Sequence, residues 1–267
     1  MHAQPSPASG EPAQELAAPA DWHTIDFISD LHLHDSAPET FLAWQRYMQQ
    51  TPAQALFILG DLFEVWVGDD SFEGDSFEAL CVQTLRKAAQ RMDLFFICGN
   101  RDFLVGPDFG ITCGLRRLGD PTVLDFAGQR WLLSHGDALC LADTEYQGFR
   151  ALVRSPAWQQ DFLGRPLATR RQMARELRER SDARRHSQLQ SFDVDPIAAA
   201  AWLQAAGANC LIHGHTHRPA EHRLGESLRR VVLSDWDMRA APARAEVLRI
   251  ERATGAAVPT VRRLAAA

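Results

Sequence analysis

Short apolar runs recur along this chain, and each closes on polar residues of a particular kind. TIDFIS (24–29) leads into DLHLH, ALFILG (55–60) into DLFEVW, LFFICG (94–99) into NRDF, WLLS (131–134) into HGD and CLIHG (210–214) into HTH. Apolar runs this short, bounded by Gly or Ser, read as buried strands. Between several of them lie stretches of helical pattern: 38–50 opened by Pro38, 74–91, and 196–206 after Asp195-Pro196. Strands alternating with helices predict an α/β (α+β) fold, layered as an αββα sandwich. The late runs RRVVLSDWD, AEVLRIE and TVRRL leave no room for helices between them, so they predict antiparallel edge strands.

Residues 144–192 break this rhythm. They show no strand pattern and read as two or three helices, rich in Arg, with Phe149, Leu152, Trp158, Phe162, Leu163 and Leu167 at roughly helical spacing. Two readings stand side by side: a helical cap whose apolar stripe packs on the core, or a lid over a substrate that is both anionic and greasy. Residues 1–22, rich in Pro, Ala and Ser, have neither a basic start nor a long apolar run. They read as a disordered tail, not a secretory signal. The division expected is therefore a tail at 1–22 and one domain at 23–267 carrying an inserted helical lid at about 144–192.

Composition narrows the function classes. A net charge of −6 argues against a nucleic-acid partner, and no stretch approaches the roughly 20 apolar residues of a membrane span. The five cysteines lack CxxC spacing and read as buried thiols of a reducing compartment. Attention then falls on the strand ends. In LIHGHTHRPA (211–220), His213, His215 and His217 alternate, which on an extended segment turns three imidazoles to one side. Asp30, His32, Asp61, Asn100 and His135 stand at the other strand ends. Taken singly, Asp30 is equally a helix cap, His135 a core histidine and GNR a turn. Together with His215 and His217 they make seven nitrogen and oxygen donors, too many for one ion. They suit two divalent metals with Asp61 as the carboxylate bridge, and the lack of thiolate favours Mn, Fe or Zn in a reactive centre.

The order DLH, GDLFE, GNRD, HGD, GHTH resembles the calcineurin-like metallophosphoesterase superfamily over roughly residues 24–236. The resemblance implies one metal on Asp30, His32 and His217, a second on Asn100, His135 and His215, and Asp61 bridging both. Two ions about 3.5–4 Å apart acidify a shared water and clamp the oxygens of an in-line displacement at phosphorus. Hydrolysis of a phosphoester or pyrophosphate is the reaction class implied.

Arg101 stands where much of that superfamily has a histidine thought to protonate an alkoxide leaving group. Arginine is no acid near pH 7, but its planar fork suits phosphate. A phosphate leaving group needs little protonation, so Arg101 points to pyrophosphate cleavage; a purely structural ion pair is the other reading. The stretches GDLFEVWVGDD (60–70), GNRDFLVG (99–106), SHGDALCLADTEYQGFR (134–150) and HGHTHRPA (213–220) are similar to the UDP-2,3-diacylglucosamine diphosphatases of lipid A biosynthesis in Gram-negative bacteria. That resemblance implies attack of water on the α-phosphorus, with UMP and 2,3-diacylglucosamine 1-phosphate (lipid X) as products and Mn2+ as the usual metal. It places Asp61, Asn100, Arg101 and His215 in catalysis, and Asn100, Arg101, Asp143, Tyr146, Arg178, Ser181 and His215 against the substrate. It also implies a peripheral enzyme on the cytoplasmic face of the inner membrane. No protein partner is implied. The chain departs from the family where a lysine usually precedes the MDVN segment: Ser187 and Gln188 stand there, with Arg184 or Arg185 as substitutes. A dinucleoside polyphosphate hydrolase would share the metals without a greasy lid. A non-catalytic membrane scaffold would have lost ligands, yet all seven are present.

Overall fold

The computed structural model describes residues 13–187, 192–252 and 258–266, with the side chains of 179–187 left out. In chain order the elements are β1 (Gln14–Ala17), β2 (Thr24–Ile28), α1 (Pro38–Gln50), β3 (Ala55–Leu59), α2 (Phe77–Ala88), β4 (Asp93–Ile97), α3 (Pro107–Cys113), β5 (Leu115–Arg117), β6 (Thr122–Phe126) and β7 (Gln129–Leu133). They continue with α4 (Thr144–Val153), α5 (Pro156–Leu163), α6 (Leu167–Ser187), α7 (Pro196–Ala206), β8 (Cys210–His213), β9 (Ala220–Arg223), β10 (Arg229–Val232), β11 (Glu246–Glu251) and β12 (Thr260–Ala265). The strands form two mixed six-stranded sheets, ordered β1-β6-β7-β8-β10-β9 and β12-β11-β2-β3-β4-β5.

Period-two alternation explains the layers. Along β3, Ala55, Phe57 and Leu59 point between the sheets, while Leu56 and Ile58 point outward beneath α1, α2 and α3. On the far side, Val123, Leu132 and Leu211 meet Ala199 and Leu203 of α7. Helices thus cover both outer faces, which is the αββα sandwich the pattern predicts. Phe27, Phe57 and Phe95 occupy register-matched positions on β2, β3 and β4 and stack at 5.1 Å and 4.6 Å between ring centres. Truncating a buried ring of this kind costs about 3–5 kcal/mol, so this ladder holds three site-bearing strands in step.

The helix bounds follow local chemistry. Pro38 opens α1, and Asp195 caps α7 by accepting from the amides of Ile197 and Ala198. Gly207 ends α7 in the left-handed conformation, φ 58°. The unstructured tail expected over 1–22 is corrected from residue 14 onward: β1 pairs in parallel with β6, Leu16 is buried and Trp22 packs edge-on to Phe57 and Phe95. The late strands also divide. β11 and β12 are antiparallel as expected, but β10 runs parallel to β8 in the other sheet and antiparallel to β9.

Helices α4, α5 and α6 occupy the segment without strand pattern. Its apolar stripe splits between two surfaces. Phe162 is buried, and Trp158 and Leu167 pack against the same core, whereas Phe149, Leu152 and Leu163 stay exposed. Buried Arg170 fastens α6 to the loop after β3 through Asp70 and the carbonyl of Val67. Among the described residues no helix is long and apolar enough to cross a membrane.

Candidate metal centre

Strands β2, β3 and β4 run parallel in one sheet, and β7 and β8 in the other. Their C-terminal ends deliver the polar motifs to one place. The backbone there is strained. Of the six non-glycine residues described with positive φ, five are Asp30, His32, Asp61, His215 and His217, at 48–67°. Such conformations cost about 1–3 kcal/mol each and persist where surrounding structure over-determines them. At Asp61, Asp102 provides that restraint. Fully buried, it accepts from the amides of Leu62 and Gly99, both at 2.7 Å, and of Asp61 at 3.3 Å, tying the loop after β3 to the loop after β4.

Glycine is required at 99 because a Cβ there would land on the Asp61 carboxylate and amide. Gly99→Ala is therefore expected to displace Asp61 and lower activity by roughly a hundredfold, as an ångström-scale misplacement of a reacting group does. Metal content should fall with it; a variant with wild-type activity and metal uptake would contradict this.

Six of the donors meet in two groups of three. His32 Nε2 and His217 Nε2 are 3.2 Å apart, and His217 Nε2 is 3.3 Å from Asp30 Oδ1. Asn100 Oδ1 lies 3.0 Å from His135 Nε2 and 2.8 Å from His215 Nδ1. Asp61 stands between, with Oδ2 3.9 Å from His32 Nε2 and Oδ1 3.7 Å from His135 Nε2. Asp30 reaches both sides as well, grouping with His32 and His217 and again with Asp61 and His135. The far sides of three of the rings also face an oxygen. Nδ1 of His32 faces Glu64 at 3.0 Å, Nδ1 of His217 faces Asp235 at 3.8 Å, and Nδ1 of His135 donates to the Leu59 carbonyl at 2.8 Å. The hydrogen bond at Nδ1 of His135, and the carboxylates beside Nδ1 of His32 and His217, turn Nε2 of these three rings to the centre, whereas His215 presents Nδ1.

The electrostatics call for cations. Burial opposes charge on His135, but Asp61, Asp30 and Asp137 outweigh it and push that imidazole up to about 9. Burial would raise Asp30; the hydrogen bond and charge of His217, with His135 and His32, override it and hold Asp30 well below the usual carboxylate range. Burial and neighbouring His135 push His215 down to about 4, so it stands neutral and ready to donate a lone pair. Several carboxylates, imidazoles and an amide oxygen, with no thiolate, fit hard to borderline divalent ions.

His213, the third imidazole of LIHGHTHRPA, does not join them. It ends β8 fully buried, with Nδ1 2.9 Å from the Gly214 carbonyl, because the chain leaves extended geometry at His215. Arg101 lies beside the centre: its amide donates to Asp61 Oδ1 at 2.8 Å, its Nη1 is 3.5 Å from Glu64, and its Nε is buried without a hydrogen-bond partner among the described residues. Tyr146 stacks on His215 at 5.8 Å and donates its hydroxyl to buried Asp137. Asp143 caps α4 by accepting from the Tyr146 amide, so it positions Tyr146. Arg178 reaches Glu64 from α6. Ser181 lies on α6, but its side chain, like those of Arg184, Arg185 and Ser187, is outside the described set, as is Gln188. The pattern of strand ends missed Glu64, Asp102 and Asp235. Glu64 and Asp102 stood inside GDLFE and GNRD without an assigned part.

Layered helices over two mixed sheets, with these donors at the strand ends, are the architecture of a calcineurin-like phosphoesterase, and the sequence model of that family matches residues 23–219. Relatives resolve it further. A protein of Aromatoleum aromaticum named UDP-2,3-diacylglucosamine hydrolase is 46% identical over 217 residues, 79% of this chain and 88% of its own. Proteins of the same name from Xanthomonas axonopodis pv. citri and Cellvibrio japonicus are 45% and 42% identical, covering 80% and 79% of this chain and 91% and 90% of theirs. The chain belongs to the calcineurin-like phosphoesterases and, within them, to the family of the UDP-2,3-diacylglucosamine hydrolases.

Proposed function

We propose that this chain hydrolyses the pyrophosphate bond of UDP-2,3-diacylglucosamine in lipid A biosynthesis, water attacking the α-phosphorus to release UMP and 2,3-diacylglucosamine 1-phosphate. The observation that carries this reading is the convergence of Asp30 with His32 and His217, and of Asp30 and Asp61 with His135, while Asn100 Oδ1 lies between His135 and His215. Asp30, His32 and His217 would hold one divalent ion, Asn100, His135 and His215 a second, and Asp61 both, with manganese as the metal. When bound, such a pair supplies Lewis acidity and an acidified water. The chain's own residues supply the rest. Arg101 offers buried guanidinium hydrogens to the phosphates, Asp102 keeps the loops of Asp61 and Asn100 in register, and Tyr146 fixes the His215 ring.

Beside the centre, a cavity of about 330 Å³ is lined by Leu33, Phe63, Val65 and Phe77, by the arginines Arg171 and Arg178, and by His34 and the acids Asp35, Glu64 and Glu78. Its apolar residues suit acyl chains and its arginines on α6 a phosphate, which supports reading α4, α5 and α6 as the lid. The test is hydrolysis of acylated against unacylated UDP-glucosamine. A strong preference for the acylated sugar supports the reading. Equal rates, or faster cleavage of dinucleoside polyphosphates, would overturn it.

An acylated substrate supports a peripheral position on the cytoplasmic face of the inner membrane. Phe162 is buried and Trp158 packs on the core, so the residues offered to lipid are Phe149, Leu152, Leu163 and Leu177, each about two-fifths to just over half exposed. Flotation with anionic liposomes should recover part of the wild-type chain. Phe149→Gln with Leu152→Gln should recover severalfold less; unchanged recovery would mean that this face does not meet lipid.

A further inference from the structure

Glu64 closes the motif GDLFE yet supplies no donor to the centre. Its residue is 9% exposed, and each carboxylate oxygen faces a different kind of partner. Oε2 lies 3.0 Å from Nδ1 of His32, in the loop after β2. Oε1 lies 3.2 Å from Nε of Arg178 on α6 and 3.5 Å from Nη1 of Arg101, in the loop after β4. Three segments far apart in sequence thus converge on one side chain. A carboxylate 3.0 Å from Nδ1 favours the His32 proton on that nitrogen, which keeps Nε2 free for a metal. It also stands between two guanidinium groups that would otherwise repel one another. Burial alone would raise its pKa, but His32, Arg101 and Arg178 outweigh it and hold it down at about 2.

We infer that Glu64 is a positioning residue that registers the insertion helix α6 on the metal centre, holding His32 through Oε2 and aligning Arg101 with Arg178 through Oε1. This rests on the dinuclear reading above, and its test is arranged so that the two fail separately. The two oxygens have separable parts. Glu64→Gln keeps an oxygen that can accept from His32 Nδ1 but turns an amide NH2 toward the arginines. Glu64→Ala removes both contacts.

Calorimetric titration of Mn2+ into chelator-stripped protein needs no substrate. Wild type should take up two ions per chain. Glu64→Ala should weaken one of them by about 10–100-fold, the usual effect of losing a group behind a metal-binding histidine, while Glu64→Gln should stay within about threefold. At saturating metal, KM for the acylated UDP-sugar should rise about tenfold in both variants, since both lose the charge-assisted contact to the arginines. The rise for Glu64→Gln should shrink toward nothing in an Arg178→Ala background, because the same link has already been cut. Wild-type metal affinity and KM in Glu64→Ala, or additive KM effects of Glu64→Gln and Arg178→Ala, would overturn the inference. If the alanine variant fails to fold, the near-isosteric Glu64→Gln still decides through its KM and the cycle with Arg178→Ala. Failure of wild type to bind two ions would instead overturn the dinuclear reading beneath it, and shows before any variant is made.

Discussion

Asp61→Asn is expected to lower turnover by several orders of magnitude and to lower metal content with it. The substitution keeps the shape of the side chain and removes one negative charge. Asp61 is 2% exposed, and its two oxygens face His32 on one side at 3.9 Å and His135 on the other at 3.7 Å. One neutral amide there weakens the hold on both ions at once, and metals supply several kcal/mol of the charge stabilisation such reactions need. The fold should survive. Asp61 is one of the groups that, with burial, push Asp102 up to about 7, so removing its charge relieves repulsion in the metal-free protein. The attraction of Asp61 for His135 is lost at the same time, so the metal-free melting temperature of Asp61→Asn should stay close to that of wild type. Elemental analysis, steady-state rates and thermal melts decide together. A folded, metal-poor variant with near-normal turnover would remove the metals from the mechanism.

The candidate ligands were legible because each follows an apolar run that has no other use than as a buried strand. Local chemistry made the bounds of α1 and α7 legible too, since Pro38 and the Asp195-Pro196 pair start helices without help from the rest of the fold. β1 was not legible: QELA carries one large apolar residue and becomes a strand only by pairing with β6, more than a hundred residues away. β9 is similar, being short, polar and defined by its pairing with β10. The insertion marks another limit. Helical spacing shows that an apolar face exists but not which surface it meets, so Phe162 and Leu163, adjacent in sequence, part between core and solvent.

The same reasoning explains why the groups behind the ligands escaped notice. Asp102 acts on Leu62 across forty positions and Asp235 faces His217 from the end of another strand. A carboxylate of this sort looks in sequence like any surface acid; only burial and distance reveal its part. His213 fails in the opposite direction. It has the spacing of a ligand, but left-handed turns at His215 and His217 replace the extended geometry on which that spacing argument rests.

Arg101→Ala is expected to reduce catalytic efficiency on the acylated UDP-sugar by about ten- to a hundredfold, with metals retained. The Arg101 contact to Asp61 is made by the backbone amide, at 2.8 Å, and survives loss of the side chain. What is lost is a guanidinium whose Nε is buried with no partner among the described residues, in a protein interior where such a donor is costly unless something accepts from it. A phosphate oxygen is the natural acceptor, and a charge-assisted hydrogen bond of this type contributes about 1.5–3 kcal/mol. Arg101→Lys keeps the charge without the planar fork and should fall between wild type and alanine. Arg101→His returns an imidazole able to protonate a leaving group, so it should raise the trace rate on an alkyl phosphodiester while lowering the rate on the UDP-sugar. Efficiencies on both substrates, measured at matched metal content, separate these cases. Wild-type efficiency of Arg101→Ala on the UDP-sugar would make Arg101 a structural partner of Glu64 alone, and the choice of a phosphate leaving group would lose its physical support.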